Sequence, residues 1–423
     1  MTGRRIFLIL FVLFFGLAAQ ASAASYPLIV QLGPLSSITT VVSTLGGTVV
    51  DSIPGANTYL LNVPLVPTST TASLLGIQVM ELNTGVTLPS FVQVGVIALP
   101  PGVPADWYKA QPSMLLIRSG NALQYSRGRG VVVADINSKV DVGHAALIGH
   151  LTTGYDFVTN KPTGTSALNQ SSASFVDQSS ASFVDQSSAS FVDQSSASFV
   201  DQSSASFVDT SSLLGAGNPA YSHGTMCAGI IAAVAPDSMI MPLRAFDDQG
   251  SADIFTLAKA IRYAVQQGAQ VVNMSFGTLQ NSPTLKSAVT YALGKNVVLV
   301  ASAGNNNTSA PQYPAAFSGV ITTGATDLLD KKASFSNYGS SLYVDAPGTN
   351  IFSSYPGGYY SFASGTSFSA PTIAGTAALI RSLKATGVGN SIAAGAINID
   401  SNNPNYVHQL GYGRIDVLNA VKN

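Results

Sequence analysis

Three apolar runs constrain the fold of this chain more than any other feature: "GVVVAD" at 130–135, "QVVNMSFG" at 270–277 and "NVVLVASAGN" at 296–305. They are continuous rather than alternating, the pattern of parallel strands buried on both faces. Segments of helical period lie between them. Ile254, Leu257, Ile261 and Val265 share one face of a predicted helix over 253–267, ended by Gly268. A second helix follows Ser282-Pro283, a cap and a first-turn proline, and carries Leu285, Val289, Ala292 and Leu293. Strands alternating with helices predict an α/β fold on a doubly wound, mainly parallel sheet, with ligands at the C-terminal strand ends.

A smaller unit precedes it. "YPLIVQL" reads as a strand, "SSITTVVSTLGG" as a helix with Ser36 or Ser37 as cap, "GTVVDSI" and "NTYLLNV" as a hairpin, "TSTTASLLGI" as a weaker helix and "QVMELN" as a last strand. That β-α-β-β-α-β order predicts a small ferredoxin-like α+β domain over 25–88. The Pro-rich "LPPGVPADWYKAQP" marks an extended linker over 89–112. Residues 1–23 read as a secretory signal peptide: Arg4 and Arg5, an apolar run, then Ala21-Ser22-Ala23 as a cleavage signal. A secreted protein is expected, extracellular or, in a two-membrane bacterium, periplasmic. No later run approaches the ~18 apolar residues of a membrane span. A net charge of −1 with 9% charged residues leaves no nucleic-acid footprint. The single cysteine cannot form an internal disulfide.

Residues 170–209 are five consecutive copies of "QSSASFVD". The period is shorter than that of usual solenoid units. The array reads as a tandem expansion in an exposed loop, where added length costs little closure entropy. A surface adhesin displaying the array is the other reading.

Four residues fall at edges of buried elements. Asp135 ends "VVVAD", His223 opens "HGTMCAGIIAAV", Asn305 ends "LVASAGN", and Ser367 opens the small-residue run of "ASGTSFSAPTIAGTAALIRSL". Singly each has a plain explanation; a serine at a helix start is ordinarily a cap. Together they supply an acid, a base, an amide donor and a nucleophile, the parts that acyl transfer requires. The backbone N–H of Ser367 at a helix N-terminus is a second oxyanion donor. The chain order Asp, His, Ser excludes the α/β-hydrolase order.

At these residues the sequence resembles the subtilisin-like serine peptidases. "HGTMCAG" is similar to the family's His box, closest to proteinase K-like members in its Cys227, and "SGTSFSAP" is similar to its Ser box. "QYPAAF", "FSNYG", "VDAPGTNI" and "GYGRIDVLNAV" also match, so the resemblance covers roughly 113–423. It implies a secreted serine endopeptidase with Asp135, His223 and Ser367 as triad and Asn305 as oxyanion donor. Ser275, Phe276 and Gly277, with Ala301, Ser302, Ala303 and Gly304, become the walls that bind substrate. Residues 25–88 become a propeptide, an intramolecular inhibitor cut off between about 84 and 112. Protein or peptide substrates, a monomer, no catalytic cofactor and no membrane partner complete the expectation. Structural calcium is a family habit for which no ligand set is assignable from the sequence.

The aspartate turn departs from the family. The usual D-[ST]-G-V-D becomes "DINSKVDVGHAAL", two residues longer, with Ile136 in place of a hydroxyl. Asn137 is read as taking the left-handed conformation of the missing glycine. Asp141 competes for the acid role, and Asp135 is preferred because it directly ends the strand. Met226 and Phe368 replace a usual histidine and methionine, and Cys227 is read as a buried small apolar residue. The altered turn motivates a rival reading, a catalytically weakened member that docks peptides. The walls "SFG" and "ASAG" predict a roomy apolar first pocket.

Overall fold

The computed structural model describes residues 25–99, 107–163, 206–207 and 218–423. The signal peptide expected at 1–23 and the octapeptide array, apart from 206–207, lie outside the described residues. Two compact units divide the chain: one runs to Leu82 without Ile53–Ala56, and the other takes those residues and everything from Asn83.

The first unit consists of β1 (Tyr26–Leu32), α1 (Ile38–Leu45), β2 (Thr48–Ile53), β3 (Thr58–Val63), α2 (Ser69–Leu74) and β4 (Ile77–Leu82). Its sheet order is β2-β3-β1-β4, with β1 antiparallel to both neighbours. Alternation along β1 puts Leu28, Val30 and Leu32 in one core with Val41, Leu61 and Val63. Helix α1 stops at Gly46, whose φ of 65° closes the helix in the left-handed region.

The second unit opens with β5 (Gly85–Thr87), β6 (Val92–Ala98), α3 (Pro112–Leu116) and α4 (Ser119–Ala122). Next come β7 (Val132–Asn137), β8 (Gly154–Asp156), β9 (Lys161–Thr163) and β10 (Ser206–Phe207). The centre holds α5 (Pro219–Val234), β11 (Met239–Arg244), β12 (Ser251–Asp253), α6 (Ile254–Gln266), β13 (Val271–Met274) and α7 (Pro283–Gly294). The chain then runs through β14 (Val298–Ser302), β15 (Ile321–Thr326), β16 (Val344–Pro347), β17 (Ile351–Tyr355) and β18 (Tyr359–Ser364). It ends with α8 (Thr366–Arg381), α9 (Val388–Gly395) and α10 (Val417–Lys422). Among the described residues eight strands form the main sheet in the order β16-β15-β14-β13-β7-β11-β8-β9, parallel except at β9. The α/β class expected from the three apolar runs is the one observed: they are β7, β13 and β14. Ser282 acts as the cap it is read to be, whereas Ser37, read with Ser36 as the alternative cap of α1, makes no side-chain cap bond. The Asp253 carboxylate accepts from Thr256 N at 2.7 Å and Ser282 Oγ from Leu285 N at 3.1 Å.

Three local expectations need correction. The stretch read as a linker contains β6, a strand between β10 and β18 that pairs antiparallel with β18. Strand β7 does not end at Asp135 but runs to Asn137, because β11 keeps pairing as far as Arg244 opposite Asn137. Asn137 is therefore extended, and among the described residues it is not one of those with positive φ. Helix α5 begins at Pro219, capped by Asn218, so His223 sits in its second turn rather than opening it.

One buried cation matters to stability. Lys332 Nζ donates to Asn307 Oδ1 at 2.8 Å and to the carbonyls of Ala333 and Ser336 at 2.9 Å, with the Tyr406 ring 4.7 Å away. Among the described residues no helix is long and apolar enough to cross a membrane.

Candidate active site

Four elements deliver the site. Strands β7 and β13 are neighbours in the sheet, α8 starts immediately after β18, and α5 packs on α8. Gly224 lets α5 approach the end of β7, since a Cβ there would stand 2.5 Å from the Ser138 carbonyl.

Asp135 is fully buried. Its Oδ1 accepts from Asn273 Nδ2 at 2.8 Å, and Asn137 Nδ2 lies 3.2 and 3.3 Å from its two oxygens. Burial raises its pKa to about 6, against the opposing pull of Asn273 and Asn137. Its carboxylate was expected to hold the imidazole directly. Instead Asn137 Oδ1 meets His223 Nδ1 at 2.6 Å. The physical reason is the prolonged strand, which carries an amide side chain into the place between acid and base. An amide oxygen only accepts, so Nδ1 of His223 carries the proton and Nε2 keeps its lone pair. Asp141 is engaged elsewhere: its carboxylate accepts from Gly143 N at 3.1 Å and Gly357 N at 2.8 Å.

His223 is buried and its Nε2 has no hydrogen-bond partner among the described residues. Burial lowers its pKa to about 3. Cys227, one turn on, is fully buried, and its thiol pKa is pushed well above the ordinary value by burial and by the nearby Asp135.

Ser367 is the second residue of α8, and the cap is Gly365 with no side-chain bond, so Ser367 does not cap its helix. Its Oγ donates to the Ser275 carbonyl at 3.3 Å. Pro371, four residues on, has no N–H to give the Ser367 carbonyl. Ser275 Oγ at 3.0 Å and the Cys227 thiol at 3.4 Å donate to that carbonyl instead. Asn305 is aimed by α8: its Oδ1 accepts from Thr366 N at 2.9 Å and Thr366 Oγ1 at 2.8 Å. That leaves Nδ2 free to donate to the Ser90 carbonyl at 2.8 Å.

Residues 83–98 run through this site. Ile254 N donates to Thr84 O at 3.1 Å, β5 pairs antiparallel with β12, and Leu88 N donates to Gly250 O at 2.9 Å. Beyond Ser90, the Phe91 ring lies 5.4 Å from the His223 ring and 5.0 Å, edge on, from Phe368. β6 then pairs with β18. The sequence reading missed this path and the strand Ser251–Asp253 that receives it.

The expected walls are present but do not enclose a roomy space. Phe276 is turned into the core against Phe246 at 5.4 Å. Ala301, Ser302 and Ala303 are buried at the end of β14. A Cβ on Gly277 would stand 2.8 Å from Gln312 Oε1, and one on Gly304 2.4 Å from the same atom. Gln312, the first residue of "QYPAAF", thus lies between the two walls, a role that no local pattern in the sequence marks. Paired bonds of 2.8 and 2.9 Å between Tyr313 and Thr278 anchor the residue after it. Among the described residues no group of three or more His, Cys, Asp or Glu side chains gathers as a metal site. The oxygen cradle of Asn307, Ala333 and Ser336 is filled by Lys332.

Comparison with known proteins gives the family and the fold. The model of the Subtilase family matches residues 128–413. Thermitase of Thermoactinomyces vulgaris is 44% identical over 276 residues, covering 63% of this chain and 80% of thermitase. Subtilisin DY of Bacillus licheniformis is 38% identical over 194 residues, 42% of this chain and 71% of that protein. In fold, the chain is similar to fervidolysin from Fervidobacterium pennivorans, described as a keratinolytic enzyme related to subtilisin. The TM-score is 0.69 at 22% identity, over 96% of this chain and 62% of that one.

Proposed function

The chain belongs to the subtilase family, and from that premise we propose that its serine endopeptidase activity runs through Ser367, His223 and Asn305, with Asp135 acting on the imidazole through Asn137. The single observation that carries this reading is the Asn305 Nδ2 bond to a peptide carbonyl beside the start of α8.

Protein or peptide substrates enter where residues 85–98 now run. Ser367 Oγ turns from the Ser275 carbonyl towards His223 Nε2, whose lone pair is left free by the Nδ1–H bond to Asn137. The imidazole takes the hydroxyl proton as Oγ bonds to the substrate carbonyl carbon. Asn305 Nδ2 and the Ser367 backbone N–H receive the oxyanion. Loss of one such donor costs roughly 3–4 kcal/mol of barrier. His223 then gives its proton to the leaving amine and the C–N bond breaks. Water hydrolyses the resulting ester, passing a proton back through His223 to restore Ser367. The Asp135 charge stabilises the imidazolium through the polarised amide of Asn137.

The leader at 1–23 suits export, and residues 25–88 suit a propeptide that restrains the enzyme until it is cut away; the mature protein then acts as a monomer. Calcium remains a proposal from family membership alone, and no catalytic step is assigned to it. The test is casein hydrolysis by purified protein, blocked by a serine-directed sulfonyl fluoride and abolished in Ser367→Ala. Turnover that persists in Ser367→Ala removes the nucleophile. Peptide binding by wild-type protein without any hydrolysis returns the chain to the weakened-binder reading.

A further inference from the structure

We propose that the Ser90–Phe91 peptide bond is the chain's own processing site, so that cleavage leaves a protein beginning at Phe91. This rests on the serine-peptidase reading above. Three observations converge on that one bond.

The first is the carbonyl: of all residues in the threaded segment, it is Ser90 whose oxygen takes the Asn305 Nδ2 bond, at 2.8 Å. The second is the direction and support of the segment. It is held by β12 on the acyl side, through Thr87 opposite Ser251 and Val86 opposite Ala252, and by β18 on the amine side, through Val92 opposite Ser364. A peptide fixed on both sides of one bond presents that carbonyl in a defined place, the positioning that makes attack effectively unimolecular. The third is side-chain fit. On the amine side Phe91 lies edge on against Phe368, the residue that departs from the family's usual methionine, and beside the base itself. Edge-to-face rings at this separation attract.

The step balances as ordinary hydrolysis. Ser367 Oγ bonds to the Ser90 carbonyl carbon while His223 Nε2 takes its proton. The C–N bond breaks, and the proton passes to the new Phe91 amine. One water then converts the Ser90 ester to a carboxylate and returns the serine hydroxyl.

The test is a time course of full-length wild-type protein and full-length Ser367→Ala, followed by intact mass and N-terminal sequencing of the first new species. The expected first product begins Phe91-Val92-Gln93 and is absent from Ser367→Ala. Phe91→Gly should slow this first cut about tenfold, the scale of a lost aromatic pair, whereas Phe91→Tyr should keep it near the wild-type rate. A first product beginning elsewhere, or an uncut chain that still digests casein, overturns this assignment and leaves the peptidase reading standing. An uncut chain without casein activity overturns both.

Discussion

Asn137 Oδ1 meets His223 Nδ1 at 2.6 Å, and the same side chain turns its Nδ2 onto the Asp135 carboxylate at 3.2 and 3.3 Å. The acid therefore reaches the base through an amide. Asn137→Ala removes the acceptor that fixes the imidazole tautomer, and kcat on a peptide substrate should fall about 10²–10³-fold with little change in KM. An unchanged kcat would mean that Asp135 holds the ring directly during turnover.

Asp135 should cost stability that a neutral side chain recovers. Its folded pKa lies at about 6 against an ordinary 3.8, so the folded protein binds this proton more tightly than the unfolded chain. The associated stability is full below 3.8, declines between 3.8 and 6, and is gone above that. At pH 8 Asp135→Asn, compared in a Ser367→Ala background to prevent self-digestion, should unfold at higher denaturant, by up to about 3 kcal/mol. Equal midpoints at pH 8 would show that Asn137 and Asn273 fully compensate the buried charge.

Precursor cleavage should carry the same ionisation in its rate. With the imidazole pKa lowered to about 3, the base is already neutral at pH 5, and the carboxylate is the group still titrating. Self-cleavage, read by gel densitometry, should fall about tenfold per pH unit below 6 and level off above it. Asp135→Asn should be slower at pH 8 and lack that limb.

Cys227 should be inert in the folded state. It is buried with its thiol pKa raised, so thiolate is scarce. A chromogenic disulfide reagent should find no thiol in native protein and one per chain in denaturant. Rapid labelling of native protein with loss of activity would contradict this.

The carbonyl freed by Pro371 depends on Ser275. Ser275→Ala should destabilise the protein by about 1 kcal/mol, since it removes the stronger of the two donors to the Ser367 carbonyl. Restoring an N–H with Pro371→Ala should offset part of that loss. A double-mutant cycle in the Ser367→Ala background checks it, and strict additivity would separate the two residues.

The sheet was legible because β7, β13 and β14 are buried on both faces, and such strands announce themselves as unbroken apolar runs. The helix cap Ser282 was legible because capping is local chemistry. The path of residues 83–98 was not. β6 finds its partner β18 only after most of the chain has been laid down, and its alternating "VQVGVIA" lies beside prolines that signal a linker. Asn137 and Gln312 escaped for another reason. Each is an ordinary amide whose role comes from where the backbone carries it, and the only advance signs were two extra residues after Asp135 and a glutamine before Tyr313-Pro314.

Lys332 brings one more consequence. A metal ion held by three oxygens is occupied according to its concentration in the medium, and a chelator strips it away. The ammonium on Asn307, Ala333 and Ser336 is attached to its own backbone, so neither dilution nor a chelator empties that corner, although burial lowers the lysine's pKa and alkali would take its charge sooner than usual. What dilution and chelators cannot remove, a single codon change can.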